Sequence, residues 1–267
     1  MPYISRQGVH LYYEVHGQGP KVLFLSGTGG DLRIRPSVFD RPLAKHFEVL
    51  ALDQRGLGQS DKPAGPYTMH DYAADAKSLL DELAWTRVGV VGISFGGMVA
   101  QELALAHPER ISRLVIGVSS SGGQGGASYP LHEVFHLPAH QYARRVFQLA
   151  DARIDDQWLD ANRTLVDLRA AHAPEMLDPD ARRGLAEQLG ARSHHDTFDR
   201  LPQLTVPTYV FGGVHDRIAP PDNLTALASR IPGAALDIFN HGHFSWNEDA
   251  AVWDRIIRFL TTDNTTN

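Results

Sequence analysis

Residues 88–93 are all valine, isoleucine or glycine, and they run straight into a second apolar stretch, 94–107, that stops at Pro108. A strand without a polar face has to be covered on both sides, the condition of a parallel sheet wrapped by helices. The stretch after it is apolar nearly all round (Met98, Val99, Ala100, Leu103, Leu105), so it reads as a helix packed deep against that sheet. Proline ends it by removing a backbone donor. The same alternation recurs along the chain. Period-2 patterning at 9–15 and short apolar runs at 22–25 and 49–52 predict opening strands. Thr68 followed by Asp71 is a helix-start signature, with Tyr72, Ala76, Leu79, Leu80 and Leu83 at helical spacing behind it. Residues 114–118, 208–211 and 236–239 continue the strands, and 223–231 together with the face Val252, Trp253, Ile256, Ile257 and Leu260 predict the last two helices. The expected class is α/β, a mostly parallel central sheet with helices on both faces.

One stretch breaks the rhythm. From SSSGGQGGASYP at 119–130 to about residue 204 there are helical patterns and no convincing strand. Phe135, Tyr142, Phe147, Trp158, Leu165 and Leu168 supply apolar groups to pack there, which argues against a disordered linker. We expect a helical cap, 122–204, inserted into a core made of 1–121 and 205–267, at the carboxyl end of the sheet where open α/β sheets bind ligands. The polar tail, 261–267, is expected to fray.

Composition narrows the functional classes. With 267 residues and 43% apolar content, one α/β domain with an insertion fits better than two domains. The formal net charge is -6 and no block of Lys or Arg occurs, so neither nucleic acid nor an anionic membrane is an expected partner. The absence of cysteine removes disulfides, a thiol nucleophile and Cys-ligated zinc. The first residues, MPYISRQGVHLYYEV, lack a basic patch followed by an apolar stretch, and no long apolar run follows; the expectation is a cytoplasmic protein, mature from its first residues.

The chemistry centres on Gly92-Ile93-Ser94-Phe95-Gly96, a Gly-X-Ser-X-Gly string at the junction of the predicted buried strand and buried helix. A sharp turn there lifts the serine hydroxyl above the sheet, while the next backbone N–H, that of Phe95, points from the helix start at any oxyanion formed nearby. A serine hydroxyl needs a base to take its proton, and the base needs an orienting acid. Asp216, in FGGVHDRIAP, is the first carboxylate after the strand at 208–211, and His243, in FNHGHFSWNED, follows the last strand. His241 and His215 compete with His243; the latter is preferred because it follows a glycine and leads into the last helix. Ser26-Gly27-Thr28-Gly29-Gly30 follows the strand at 22–25, and the N–H of Thr28 is the candidate second oxyanion donor. A rival string, His132-Glu133-Val134-Phe135-His136, has the form of a zinc-protease motif. Pro138 would end a helix within two residues of its second histidine, and the reading preferred is a short cap helix at the entrance, with no metal.

On these residues the chain resembles the α/β-hydrolase superfamily over essentially its whole length. SGTGGDLR, DQRGLGQSDKPAGPYT, GISFGGMVAQELALAHPERISRLV and the Gly242-His243 pair look most like ester and lactone hydrolases close to 3-oxoadipate enol-lactonase. Several relatives carry His-Gly before the oxyanion residue, where this chain has Ser26-Gly27. The resemblance implies an α/β-hydrolase fold with a helical cap, and a structural role for the loop at 53–60, Arg55 included. The expected function is hydrolysis of a small-molecule carboxylic ester or lactone through an acyl-enzyme on Ser94, with His243 as base, Asp216 as acid and no cofactor. Carbon–carbon bond hydrolysis and perhydrolysis use the same triad, and a non-catalytic ligand receptor on this scaffold is the alternative of a different class. A serine rather than an aspartate nucleophile argues against haloalkane dehalogenase and epoxide hydrolase chemistry. No oligomeric state is assigned.

Overall fold

The computed structural model describes residues 2–262. Its strands are β1 (Tyr3–Arg6), β2 (Val9–His16), β3 (Lys21–Leu25), β4 (Glu48–Leu52), β5 (Val88–Ile93), β6 (Ile111–Gly117), β7 (Thr208–Gly213) and β8 (Ala235–Phe239). They form one sheet in the order β1-β2-β4-β3-β5-β6-β7-β8. Pairings β1·β2 and β2·β4 are antiparallel and the rest are parallel. The α-helices are α1 (Leu43–His46), α2 (Met69–Glu82), α3 (Phe95–Ala106), α4 (Ala139–Ala150), α5 (Asp156–Ala161), α6 (Arg163–Ala170), α7 (Pro179–Ser193), α8 (Pro221–Arg230) and α9 (Ala250–Thr261). None of them is long and apolar enough to cross a membrane. The architecture is of the class the alternation predicts, an α/β fold with a mostly parallel sheet.

Alternate residues of each central strand feed two separate cores. Leu23, Leu25, Leu50, Val88, Val90, Leu114 and Val210 pack against α2, α3 and α8. Val22, Val49, Val91, Ile93, Val115 and Phe211 pack against α1 and α9. Every residue of β5 is buried, as its lack of a polar face requires. The start of α2 is the capping box read from sequence: Thr68 Oγ1 accepts from the N–H of Asp71 and the Asp71 carboxylate accepts from the N–H of Thr68.

Topology creates the crevice. From β3 the chain turns to β4 on one side, and it later returns to place β5 on the other side of β3. The order therefore reverses between β3 and β5, and the loops leaving their carboxyl ends diverge there. Between β6 and β7 the chain contributes α4 to α7 and short 3-10 turns, with no strand. Two short elements escaped the sequence reading, β1 and α1, each of only four residues and too brief to show a period. Of the polar tail, Thr261 closes α9, and residues 263–267 lie outside the described residues.

Just beyond α7, His195 is 6% exposed, and burial pushes its imidazole from 6.5 down to about 4. An unfolded histidine binds a proton as pH falls through 6.5, whereas the folded one resists until about pH 4. Stability attached to this site is thus complete above pH 6.5 and is lost as pH falls through that window, to a total of about 3 kcal/mol. Urea unfolding at pH 7 and pH 4.5 should show a larger loss for the native chain than for His195→Gln; equal losses would mean His195 is not held neutral.

Candidate active site

Ser94 stands between β5 and α3 with φ 54° and ψ -116°, outside the regions that a side-chain-bearing residue favours and costing about 1–3 kcal/mol. Four hydrogen bonds hold its backbone there. Its N–H donates to Gly117 O at 2.8 Å, and its carbonyl accepts from Gly97 N at 2.9 Å, Met98 N at 3.3 Å and Ser119 Oγ at 2.8 Å. The turn also needs the glycine two residues on, because a Cβ on Gly96 would lie 2.0 Å from the Leu25 carbonyl oxygen. The missing side chain is what lets α3 approach the end of β3 this closely.

The sequence candidates converge. His243 Nε2 is 3.0 Å from Ser94 Oγ, and His243 Nδ1 is 2.6 Å from Asp216 Oδ2. With the Nδ1 proton donated to Asp216, the Nε2 lone pair faces the serine hydroxyl. The second oxygen of Asp216 accepts from the N–H groups of Ile218 (2.7 Å) and Ala219 (2.9 Å), so the carboxylate is fixed at both ends. Ser94, Asp216 and His243 are 8%, 3% and 5% exposed. The two rival histidines are engaged elsewhere: His241 Nε2 is 2.6 Å from Asp249 Oδ2, and His215 Nε2 is 2.8 Å from Asn240 Oδ1.

Helix α4 ties these loops down. Ala150 O accepts from the N–H of His243 at 2.6 Å, and Leu149 O accepts from Arg217 N at 3.0 Å. These are carbonyls of the last helical turn, which has no partners of its own for them. Gly242 is required by the same contact, since a Cβ there would sit 2.2 Å from Ala150 O.

The loop after β3 lies against the serine: a Cβ built on Gly27 would be 3.4 Å from Ser94 Cβ. Gly29 N donates to Gln188 Oε1 of α7 (2.9 Å), Gln54 Nε2 donates to Ser26 O (2.9 Å), and Leu32 N donates to Asp53 Oδ1 (2.7 Å). Asp53 also accepts from Gln59 N (2.8 Å), and burial pushes its carboxyl above the usual range. The N–H of Thr28 donates to no described residue, and the N–H of Phe95, first in α3, has no carbonyl one turn earlier to bond. Arg55 is buried and holds Asp75 through Nε and Nη2, both at 2.6 Å, a structural pair behind the loop. Over Ser94 opens a cavity of about 260 Å³, walled by Leu131, Tyr142, Val146, Arg169, Ile218 and Trp246 among others.

The expected short helix at 132–136 is absent. Leu131–Glu133 is a single 3-10 turn and α4 begins after Pro138, so no helix spans His132 and His136. Proline cannot continue the turn, as the sequence reading of Pro138 anticipated.

The model of the alpha/beta hydrolase fold family matches residues 20–250. The chain belongs to this family. A putative carbamate hydrolase of Variovorax paradoxus is 31% identical, over 94% of this chain and 96% of its own length. A 2-hydroxy-6-oxononadienedioate/2-hydroxy-6-oxononatrienedioate hydrolase of Cupriavidus pinatubonensis is 30% identical, over 94% and 86%. Among solved structures, an enol-lactonase from Burkholderia xenovorans superposes with a TM-score of 0.81 at 26% identity, covering 98% of this chain and 100% of that one.

Sequence reasoning missed several residues of this alpha/beta hydrolase's site. Gln188, which holds the loop after β3, and Tyr142 and Arg169, which wall the cavity, lie on helices between β6 and β7. Nothing in their spacing distinguishes a wall residue from a solvated one. The close contact at Gly96 yields an expected outcome. Gly96→Ala should push α3 away from β3 and lower unfolding free energy by about 3 kcal/mol, read from urea denaturation. Unchanged stability would show that the turn has room to yield.

Proposed function

We propose that this hydrolase cleaves a carboxylic ester or lactone of a small molecule through an acyl-enzyme on Ser94. The observation that carries the reading is the unbroken chain from Ser94 Oγ through His243 to Asp216, at the floor of a cavity. His243 takes the serine proton as Oγ attacks the carbonyl carbon, and Asp216 keeps the imidazole oriented and stabilises its cation. The unengaged N–H groups of Thr28 and Phe95 receive the negative oxygen of the tetrahedral species. His243 then gives its proton to the departing alcohol, and water repeats the sequence to release the acid. Every group in this cycle is a side chain or backbone amide of the chain, so the reading calls for no cofactor.

Residues 122–204 act as the cap in this proposal. They supply Leu131, Tyr142, Val146 and Arg169 to the cavity wall, and α4 hydrogen-bonds directly to the loops bearing Asp216 and His243. Similarity to an enol-lactonase favours ester and lactone substrates, and similarity to a dienedioate hydrolase makes carbon–carbon cleavage the competing chemistry to be tested.

Ser94→Ala and His243→Ala should each lower kcat on an activated aryl ester by at least about 10³-fold with the fold intact, while His241→Ala keeps most of the activity. A dead position-241 variant beside an active position-243 variant would move the base. Assayed on a panel of esters, lactones and vinylogous diketones, turnover of the diketones alone would shift the reading to carbon–carbon bond hydrolysis.

A further inference from the structure

Arg192 stands in the last turn of α7 and is 6% exposed. Its Nη1 donates to the Tyr129 carbonyl at 2.7 Å, while its Nε and Nη2 are buried with no hydrogen-bond partner among the described residues. Arg55, also buried, holds the Asp75 carboxylate in its fork; Arg192 pairs with none of the described carboxylates. Its hydrogen bonds lead instead to Asp216. Tyr129 N donates to Ile218 O at 2.7 Å, and Ile218 N donates to Asp216 Oδ1 at 2.7 Å, so the guanidinium is braced against the loop whose carboxylate faces His243. Burial lowers the Arg192 guanidinium to about 10, and the Asp216 charge opposes the drop. It stays a cation at neutral pH, as the carbonyl end of a helix favours.

We propose that Arg192 is a positioning residue for this site, a fixed internal cation that balances the charge of Asp216 and so keeps His243 unprotonated until substrate is attacked. The inference deepens the serine-hydrolase reading above and rests on it. In the resting site the guanidinium and the Asp216 carboxylate cancel beside a neutral imidazole. During attack the imidazole gains the serine proton while the substrate oxygen gains a negative charge, so the balance is kept. Without the guanidinium, the carboxylate is left uncompensated in an interior that penalises net charge. A proton taken up from solvent by His243 then relieves it before any substrate binds, and a histidine already protonated cannot act as base. The rise of activity with pH therefore moves upward when the cation is removed. The other charged groups around the pair stay as they are in such a change. Asp151, which packs against Gly242, pairs with Arg153, and His241 bonds to Asp249. His215 bonds to Asn240, Arg217 is exposed, and Arg169 lies over the Phe244 ring. His132 and His195 share a cavity wall with Arg192, and Glu133 and Arg145 stand at the Tyr129 side chain.

The profile of kcat/KM against pH tests it, with 4-nitrophenyl butanoate as substrate and the reaction followed at the isosbestic wavelength of 4-nitrophenol. Arg192→Met removes the charge and keeps a stem of similar bulk. Arg192→Gln removes the charge but keeps an N–H for the Tyr129 carbonyl, and Arg192→Lys keeps the charge. The Met and Gln variants should each move the acid limb upward by about one pH unit, so that kcat/KM on that limb falls about tenfold while the plateau at higher pH stays within about threefold of the native value. Arg192→Lys should keep the native limb. Because the limb is a position on the pH axis, it does not depend on how much of a variant is folded. A limb that stays in place in the Met and Gln variants, or that moves as far in Arg192→Lys, would overturn the proposal. So would a native-like Gln variant beside a shifted Met variant, since Arg192 would then only brace Tyr129. Ser94→Ala separates the two levels of inference. If it hydrolyses the ester as fast as the native enzyme, or if the native profile has no acid limb, the hydrolase reading itself fails, and the role of Arg192 with it.

Discussion

The turn at Ser94 is the constraint around which the rest of the molecule is organised. A residue with a side chain is held at a positive φ because hydrogen bonds with Gly117 of β6, with Ser119 just beyond it, and with Gly97 and Met98 in the first turn of α3 over-determine its backbone. That geometry lifts the hydroxyl out of the sheet and brings the start of α3 against the end of β3. The loop after β3 then comes to rest beside the serine, since β3 and β5 are neighbours in the sheet. Buried strands on either side make the turn rigid, and rigidity is what keeps Ser94 from relaxing into an ordinary loop conformation.

A second dependency joins the helices between β6 and β7 to the loops bearing Asp216 and His243. The last carbonyls of α4 would otherwise be unsatisfied, and they accept from Arg217 and His243. The consequence is that displacement of α4 would disturb His243 directly, through its own main chain, as well as the cavity wall. Gly242 makes this close approach possible. The helical segment and the imidazole are therefore one mechanical unit, and cavity shape and the position of His243 are coupled.

Charge is managed with similar economy. Asp53 is fully buried and accepts backbone N–H groups from Leu32 and Gln59, which binds the loop after β3 to the loop after β4. Arg55 pairs with Asp75 in the interior, where an unpartnered charge would be strongly destabilising, and Arg6 and Asp71 complete the charge cluster.

Much of the architecture was legible in the residues themselves. Buried strands and amphipathic helices leave periods of two and 3.6 in the sequence, so β2 to β8, α2, α3, α8 and α9 could be read within a few residues of their ends. The Gly-X-Ser-X-Gly turn could be placed because it lies at the junction of two such elements, and Asp216 and His243 because they follow strands in order. What decided between His243 and His241 was tertiary: only one imidazole reaches Ser94, while the other is occupied by Asp249. The turn at 131–133 was decided in the same way, since proline-bounded segments carry no period to read. Tyr142, Arg169 and Gln188 were invisible for a deeper reason. Their roles arise from contacts between residues that are distant along the chain, such as Gly29 and Gln188, and a linear pattern records which face of a helix is apolar but not what that face will meet.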